Sequence, residues 1–66
     1  MDKIIEERKK RKLTQTALAE KLGYHRNTVA NWERGRKTPS LEAMEAMSAF
    51  FNLPIESLLN DKKRAG

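Results

Sequence analysis

Apolar residues occur along this chain in runs of three or fewer, and their spacing is helical almost throughout. Pro stands only at 39 and 54 and Gly only at 23, 35 and 66, and these punctuators help divide the chain into five segments. The first, about Asp2 to Lys12, sets Ile4, Ile5 and Arg8 on one side. Asp2 is its expected cap, and its acidic start and basic end suit the helix dipole. The second, "TQTALAEKLG", has Thr14 as cap, Ala17, Leu18, Ala19 and Leu22 as a buried face, and Gly23 as a left-handed stop. The third starts near His25 or Arg26 and ends at Gly35. The fourth, "SLEAMEAMSAFF", is capped by Ser40, buries Leu41, Met44, Met47, Ser48 and Phe51, and closes at Asn52. The fifth, "PIESLL", begins at Pro54, where a missing N–H does no harm, and its Ile55, Leu58 and Leu59 close the core. No segment alternates with the period of a strand, so the pattern predicts an all-α domain of five short helices.

The third segment is the unusual one. "YHRNTVANWERGRKTPS" is strongly polar and basic, yet it carries Val29 and Trp32 three positions apart. On a helical wheel these two fall together, while Arg26, Asn27, Ala30, Asn31 and Arg34 fall opposite and Thr28 and Glu33 lie at the boundaries. One face therefore anchors the helix to the domain. The other is long and positive, with Ala30 keeping its middle low. The major groove of B-DNA admits one α-helix; Arg suits guanine O6/N7 and Asn suits adenine N6/N7. An ordinary solvated face is the competing reading, but Asn is a poor helix former, and two on one exposed face need a reason.

Composition narrows the function classes. At 66 residues this is one small domain, which buries only about 60% of its unfolded surface. Residues 1–60 form the domain, and 61–66 are a basic, frayed tail. No Cys is present and His25 is the only His, so no metal, cofactor or catalytic residue is expected, and an enzyme is excluded for want of a pocket. No stretch reads as a membrane span or a signal peptide, and the expected location is cytoplasmic. The formal net charge of +5 invites an anionic partner, nucleic acid above all. Basic residues cluster at "RKKRK" (8–12), "RGRK" (34–37) and "KKR" (62–64).

The second and third segments fit together. Leu18, Leu22, Val29 and Trp32 can fill a wedge between two crossing helices, Ala19 permits their close approach, and Gly23 makes the turn: the spacing of a helix-turn-helix. With "LTQ…LA..LG", "WERG…PS" and the closing "LPIESLL", the chain from about Ile4 to Leu59 resembles the Cro/CI repressor-like, Xre-type helix-turn-helix family of transcriptional regulators. The resemblance implies a lambda-repressor-like domain that binds double-stranded DNA, with helix three as recognition helix.

It also implies roles by position. Arg26, Asn27 and Asn31 match base-reading positions, and Thr28 matches one that touches phosphate or a thymine methyl. Gln15 matches an amide placed on phosphate, and Arg34, Arg36 and Lys37 match residues that grip the backbone. His25 is read as a cap or a phosphate contact rather than a metal ligand. Arg8 and Glu33 match a partly buried salt bridge tying helix one to helix three. Three positions depart from the family pattern. Lys12 stands where Gly is usual, so the turn after helix one should be less sharp. Ala17 replaces a Glu, so Thr14 lacks a capping box. Tyr24 replaces a small aliphatic residue; its ring packs on the core edge or its hydroxyl reaches a phosphate, packing being favoured.

One recognition helix reads too few base pairs to find a single genomic site, so a two-fold homodimer on a palindromic operator is expected, with half-sites about one turn apart. Phe50, with Ile55 or Leu59 beside it, is the expected dimer surface. The alternative is a protein-partner module of the same fold, an antitoxin or coactivator whose DNA binding is weak or depends on its partner.

Overall fold

The computed structural model describes residues 1–59. Their helices are α1 (Asp2–Lys10), α2 (Gln15–Leu22), α3 (Arg26–Arg34), α4 (Leu41–Phe51) and α5 (Ile55–Leu59), and no strand occurs among them. The tail at 61–66 lies outside the described residues.

Local chemistry sets most of the boundaries. The Thr14 hydroxyl accepts from the Ala17 N–H at 3.0 Å, and the Ser40 hydroxyl from the Ala43 N–H at 3.2 Å. Each such cap stabilises its helix by about 1 kcal/mol. Gly23 (φ 84), Gly35 (φ 77) and Asn52 (φ 59) end α2, α3 and α4 in the left-handed region.

The start of α1 differs from the sequence reading. Met1 occupies its N-cap position and Asp2 is already helical, so Asp2 serves the dipole rather than capping. The end of α1 differs too. The helix stops at Lys10, and Lys12 takes φ 55. Its N–H bonds the Lys9 carbonyl at 2.9 Å, and the Leu13 N–H returns to Arg8 at 3.1 Å. The turn is thus tight despite the lysine. The left-handed conformation presses Cβ toward the next carbonyl, at a net cost of about 1 kcal/mol relative to Gly.

Ile4, Leu18, Ala19, Val29, Trp32, Ala43, Met44, Met47, Phe51 and Leu58 form the core, drawn from all five helices. Within it α3 lies most extensively against α2. Ala19 is 1% exposed, as a close crossing requires. The Tyr24 ring meets Trp32 edge to face, with centroids 5.2 Å apart, and packs on the core edge.

Leu41 and Leu59 do not join the core: they are 67% and 56% exposed. The buried stripe of α4 is instead Ala43, Met44, Met47 and Phe51. A helical side chain leans back toward the N-terminus, and for Leu41, the first residue of α4, that direction runs off the end of the helix. Leu58 is the fully buried residue of α5, with Ile55 half-buried against the core. Ala17 is only half-buried.

Two further contacts tie α1 into the domain. The Met1 amino group donates to the carbonyls of Trp32 (3.0 Å) and Glu33 (3.2 Å), at the C-terminal end of α3. Glu7, 3% exposed, takes Arg11 at 2.7 Å and Lys3 and Lys10 each at 3.3 Å. Arg11 also donates to the Phe51 carbonyl at 3.0 Å and lies 4.9 Å from the centre of the Phe51 ring. The hydrogen bond from Arg11, helped by Lys3 and Lys10, outweighs burial and holds the Glu7 carboxyl at about 2. The sequence reading treated Glu7 only as part of an acidic first turn; cations at i−4, i+3 and i+4 were the signal of this cluster.

Candidate nucleic-acid interface

The site is built on α3. Val29, Ala30, Trp32 and Glu33 are its buried residues. Arg26, Asn27 and Arg34 are exposed, and Thr28 and Asn31 are half-buried. The segregation into two faces is real, but its axis is rotated from the one read off Val29 and Trp32. Ala30, expected amid the polar face, is 6% exposed, and Glu33 is 9% exposed. For Glu33 the physical reason is the Met1–α1 segment, whose amino group donates to the Glu33 carbonyl and whose Arg8 grips the carboxylate. The solvent arc is accordingly Asn27, Asn31, Arg34 and the edge of Thr28, with Arg26 on its opposite margin.

A chain of polar contacts runs from α1 to that margin. Arg8 grips Glu33 in bidentate fashion, Nε to Oε2 at 2.7 Å and Nη2 to Oε1 at 3.0 Å, while its Nη1 donates to the Leu13 carbonyl at 2.9 Å. The Glu33 carboxylate raises the Arg8 pKa. Gln15 Nε2 donates to Glu33 Oε1 at 3.0 Å. Arg26 Nη1 donates to Gln15 Oε1 at 3.3 Å, and its Nη2 to Asn27 Oδ1 at 3.1 Å. The carboxylate thereby fixes which end of the Gln15 amide faces Arg26. Gln15, at the first residue of α2, is a link between elements as well as a half-buried surface amide.

The loop beyond α3 is also fixed to it. The backbone N–H groups of Arg36 and Lys37 bond the Asn31 carbonyl at 2.9 and 3.4 Å, so both exposed cations follow the helix closely. His25 occupies the N-cap position of α3, but its side chain makes no cap hydrogen bond, so of the two readings the cap is excluded. Among the described residues, the side chains of Lys9, Lys12, Lys21, Arg34, Arg36 and Lys37 form no hydrogen bond or ion pair, whereas the other Lys and Arg side chains are all engaged. The sequence alone does not single out Lys9 and Lys12 as lacking a partner, because inside "RKKRK" they are indistinguishable from neighbours held by Glu7 and Glu33.

The three residues expected at a dimer surface are not equally available. Phe50 and Ile55 are half-buried against the core, Phe50 tilted on Phe51 with centroids 5.4 Å apart. Leu59 is exposed. Among the described residues no cluster of three or more His, Cys, Asp or Glu could hold a metal ion, and no helix is long and apolar enough to cross a membrane.

Comparison with known proteins accords with this geometry. A helix-turn-helix family model matches residues 4–58. The chain is 34% identical over 62 residues to the HTH-type transcriptional activator BcrR of Enterococcus faecalis, covering 94% of this chain and 30% of that protein. It is 34% identical over 61 residues to the cryptic phage CTXphi transcriptional repressor RstR of Vibrio cholerae, covering 92% and 55%. It is 38% identical over 55 residues to the immunity repressor protein of Bacillus phage phi105, covering 83% and 38%. The chain thus spans about half or less of the length of these relatives. No solved structure matches it significantly. Five helices with α2 packed on α3 and Ala19 buried in the core, the Gly23 turn between them, and a family match over nearly the whole chain lead to one conclusion: this chain belongs to the Cro/CI repressor-like, Xre-type helix-turn-helix family of transcriptional regulators.

Proposed function

We propose that this chain binds duplex DNA in a sequence-specific manner, with α3 in the major groove, and that it represses transcription. Arg26, Asn27, Thr28 and Asn31 read bases. Gln15, His25, Arg34, Arg36 and Lys37 contact phosphates and set the register. The observation that carries this reading is the division of α3: a buried side on the core and α1, and a solvent side of two asparagines flanked by arginines. Arg34, Arg36 and Lys37 at its end, which have no ion-pair partner among the described residues, support it, since they attract phosphate without breaking such a pair. Repression is favoured by two relatives named as repressors, against one named as an activator. Two copies bind a palindromic operator with half-sites about one helical turn apart, joined through the C-terminal helices at Phe50, Ile55 and Leu59.

Selection of bound sites from a random duplex pool at near-physiological salt tests this. The expected result is a palindrome of that spacing. Recovery of no consensus, with binding that disappears as salt rises, would leave only non-specific phosphate attraction and refute base reading by α3.

A further inference from the structure

We infer that Lys12 is a phosphate-contacting residue, a second positioning point on the duplex beside the start of α2, separate from the Arg34–Lys37 group that follows α3. The inference rests on the proposed placement of α3 in the groove.

The first observation is strain. Lys12 holds φ 55, a backbone conformation that glycine adopts freely and lysine does not. The second is that nothing within the fold compensates. Lys12 is exposed, and its ammonium has no partner among the described residues. Of the rest of the basic run, Arg8 is paired with Glu33, and Lys10 and Arg11 with Glu7; Lys9 also lacks a partner among the described residues, but it lies in α1 with no positive φ. A charged side chain kept where it strains the backbone, with no internal contact, points to a contact outside the molecule.

Position says what that contact is. Lys12 directly precedes Leu13, whose carbonyl accepts from Arg8 Nη1, and lies two residues ahead of Thr14, the cap of α2. The same Arg8 holds Glu33, which leads through Gln15 to Arg26. The Lys12 turn is therefore tied to the network that ends at Arg26 and Asn27, and it lies on the α1–α2 side of α3, whereas Arg36 and Lys37 follow its C-terminal end. Arg34 to Lys37 grip the end of the recognition helix, and Lys12 grips the duplex beside the start of α2. A single mobile ammonium carries no base preference and serves as a point charge for a phosphate.

The test is duplex affinity across a salt series for the wild type and for Lys12→Gly, Lys12→Asn and Lys12→Arg. Gly and Asn both accept the left-handed turn, and Arg keeps the charge. Lys12→Gly should raise the melting temperature by roughly 4 °C. It should nevertheless make the slope of log affinity against log salt shallower by about 0.9, with the same fold-loss on operator and non-specific DNA. Lys12→Asn should lose affinity to the same extent, and Lys12→Arg should retain both affinity and slope. Neutral variants with unchanged slope and affinity would overturn the inference. So would a Lys12→Arg variant as weak as Lys12→Gly, because the charge would then be irrelevant. A wild type that binds no duplex would instead overturn the α3 reading, and this inference with it.

Discussion

Glu7 and Glu33 are both nearly inaccessible carboxylates, and each is held by an arginine at 2.7 Å. Their surroundings differ. Every charged partner of Glu7 comes from α1 or from Arg11, the residue that caps its C-terminus, and the chain of contacts ends inside the fold, where Arg11 meets the carbonyl and ring of Phe51. Glu33 joins three helices. It lies on α3, is gripped from α1 by Arg8 and receives Gln15 from α2, and its chain of contacts ends in solvent at Arg26 and Asn27. One cluster is closed and the other is open at the face proposed to meet DNA. The difference separates charge that fixes the fold from charge that also orders a binding surface, although both stem from residues of the same basic run.

Glu33→Ala provides the largest expected effect. It leaves Arg8 partly buried without its carboxylate, which should cost about 3–5 kcal/mol in denaturant unfolding. Near-native stability in this variant would mean that water satisfies Arg8 and that the pair is no keystone. Where the variant still folds, Arg26 should lose its anchor through Gln15, and operator affinity should fall more than affinity for non-specific DNA.

Glu7→Gln should come next, at about 1.5–3 kcal/mol, the range for hydrogen bonds to a charged group. Its pH signature is distinctive. The Glu7 carboxyl is lowered from 4.5 to about 2 in the folded chain, so between these values the unfolded chain binds the extra proton. The stability this carboxylate supplies is therefore complete above about 4.5 and is lost as pH falls toward 2. Glu7→Gln should flatten stability against pH in that window, while operator specificity at neutral pH stays as in the wild type. A specificity change would show that the closed cluster reaches the binding face after all.

The contrast between these carboxylates also marks what the sequence could reveal. Caps and stops are local, so Thr14, Gly23, Gly35, Ser40 and Asn52 located most helix ends correctly. The wedge of Leu18, Val29 and Trp32 was legible from spacing, because two consecutive helices must share it. The flank covered by a third helix was not. A wheel for α3 takes no account of the neighbouring helices, and so it places Ala30 on the open face and Glu33 at a boundary, although both are buried. Asp2 failed as a cap because Met1 already occupies that position. Lys12 could be flagged as a departure from Gly, yet whether the turn would relax or the lysine would be strained depended on the backbone path back to Arg8.

Gln15→Ala should have the smallest effect on stability and is the most informative about the open cluster. Glu33 keeps both bonds from Arg8 and loses only the one from Gln15, at about 0.5–1.5 kcal/mol, while the exposed bond from Arg26 to Gln15 Oε1 is replaced by water. Its effect on DNA binding has two possible sources. Gln15 can contact a phosphate itself, or it can orient Arg26 by offering Oε1 at 3.3 Å. A double-mutant cycle with Arg26→Ala on operator DNA separates them. If Gln15 touches phosphate alone, the two losses add to within about 0.5 kcal/mol. If it orients Arg26, removing Arg26 first makes the loss of Gln15 much smaller, with a coupling of about 0.5–3 kcal/mol. Coupling is the expected outcome, because the buried carboxylate that receives Nε2 leaves the amide oxygen turned toward Arg26. Full additivity would reduce the contact between Gln15 and Arg26 to a resting arrangement of the free protein, and Glu33 would then have no more influence over base reading than Glu7.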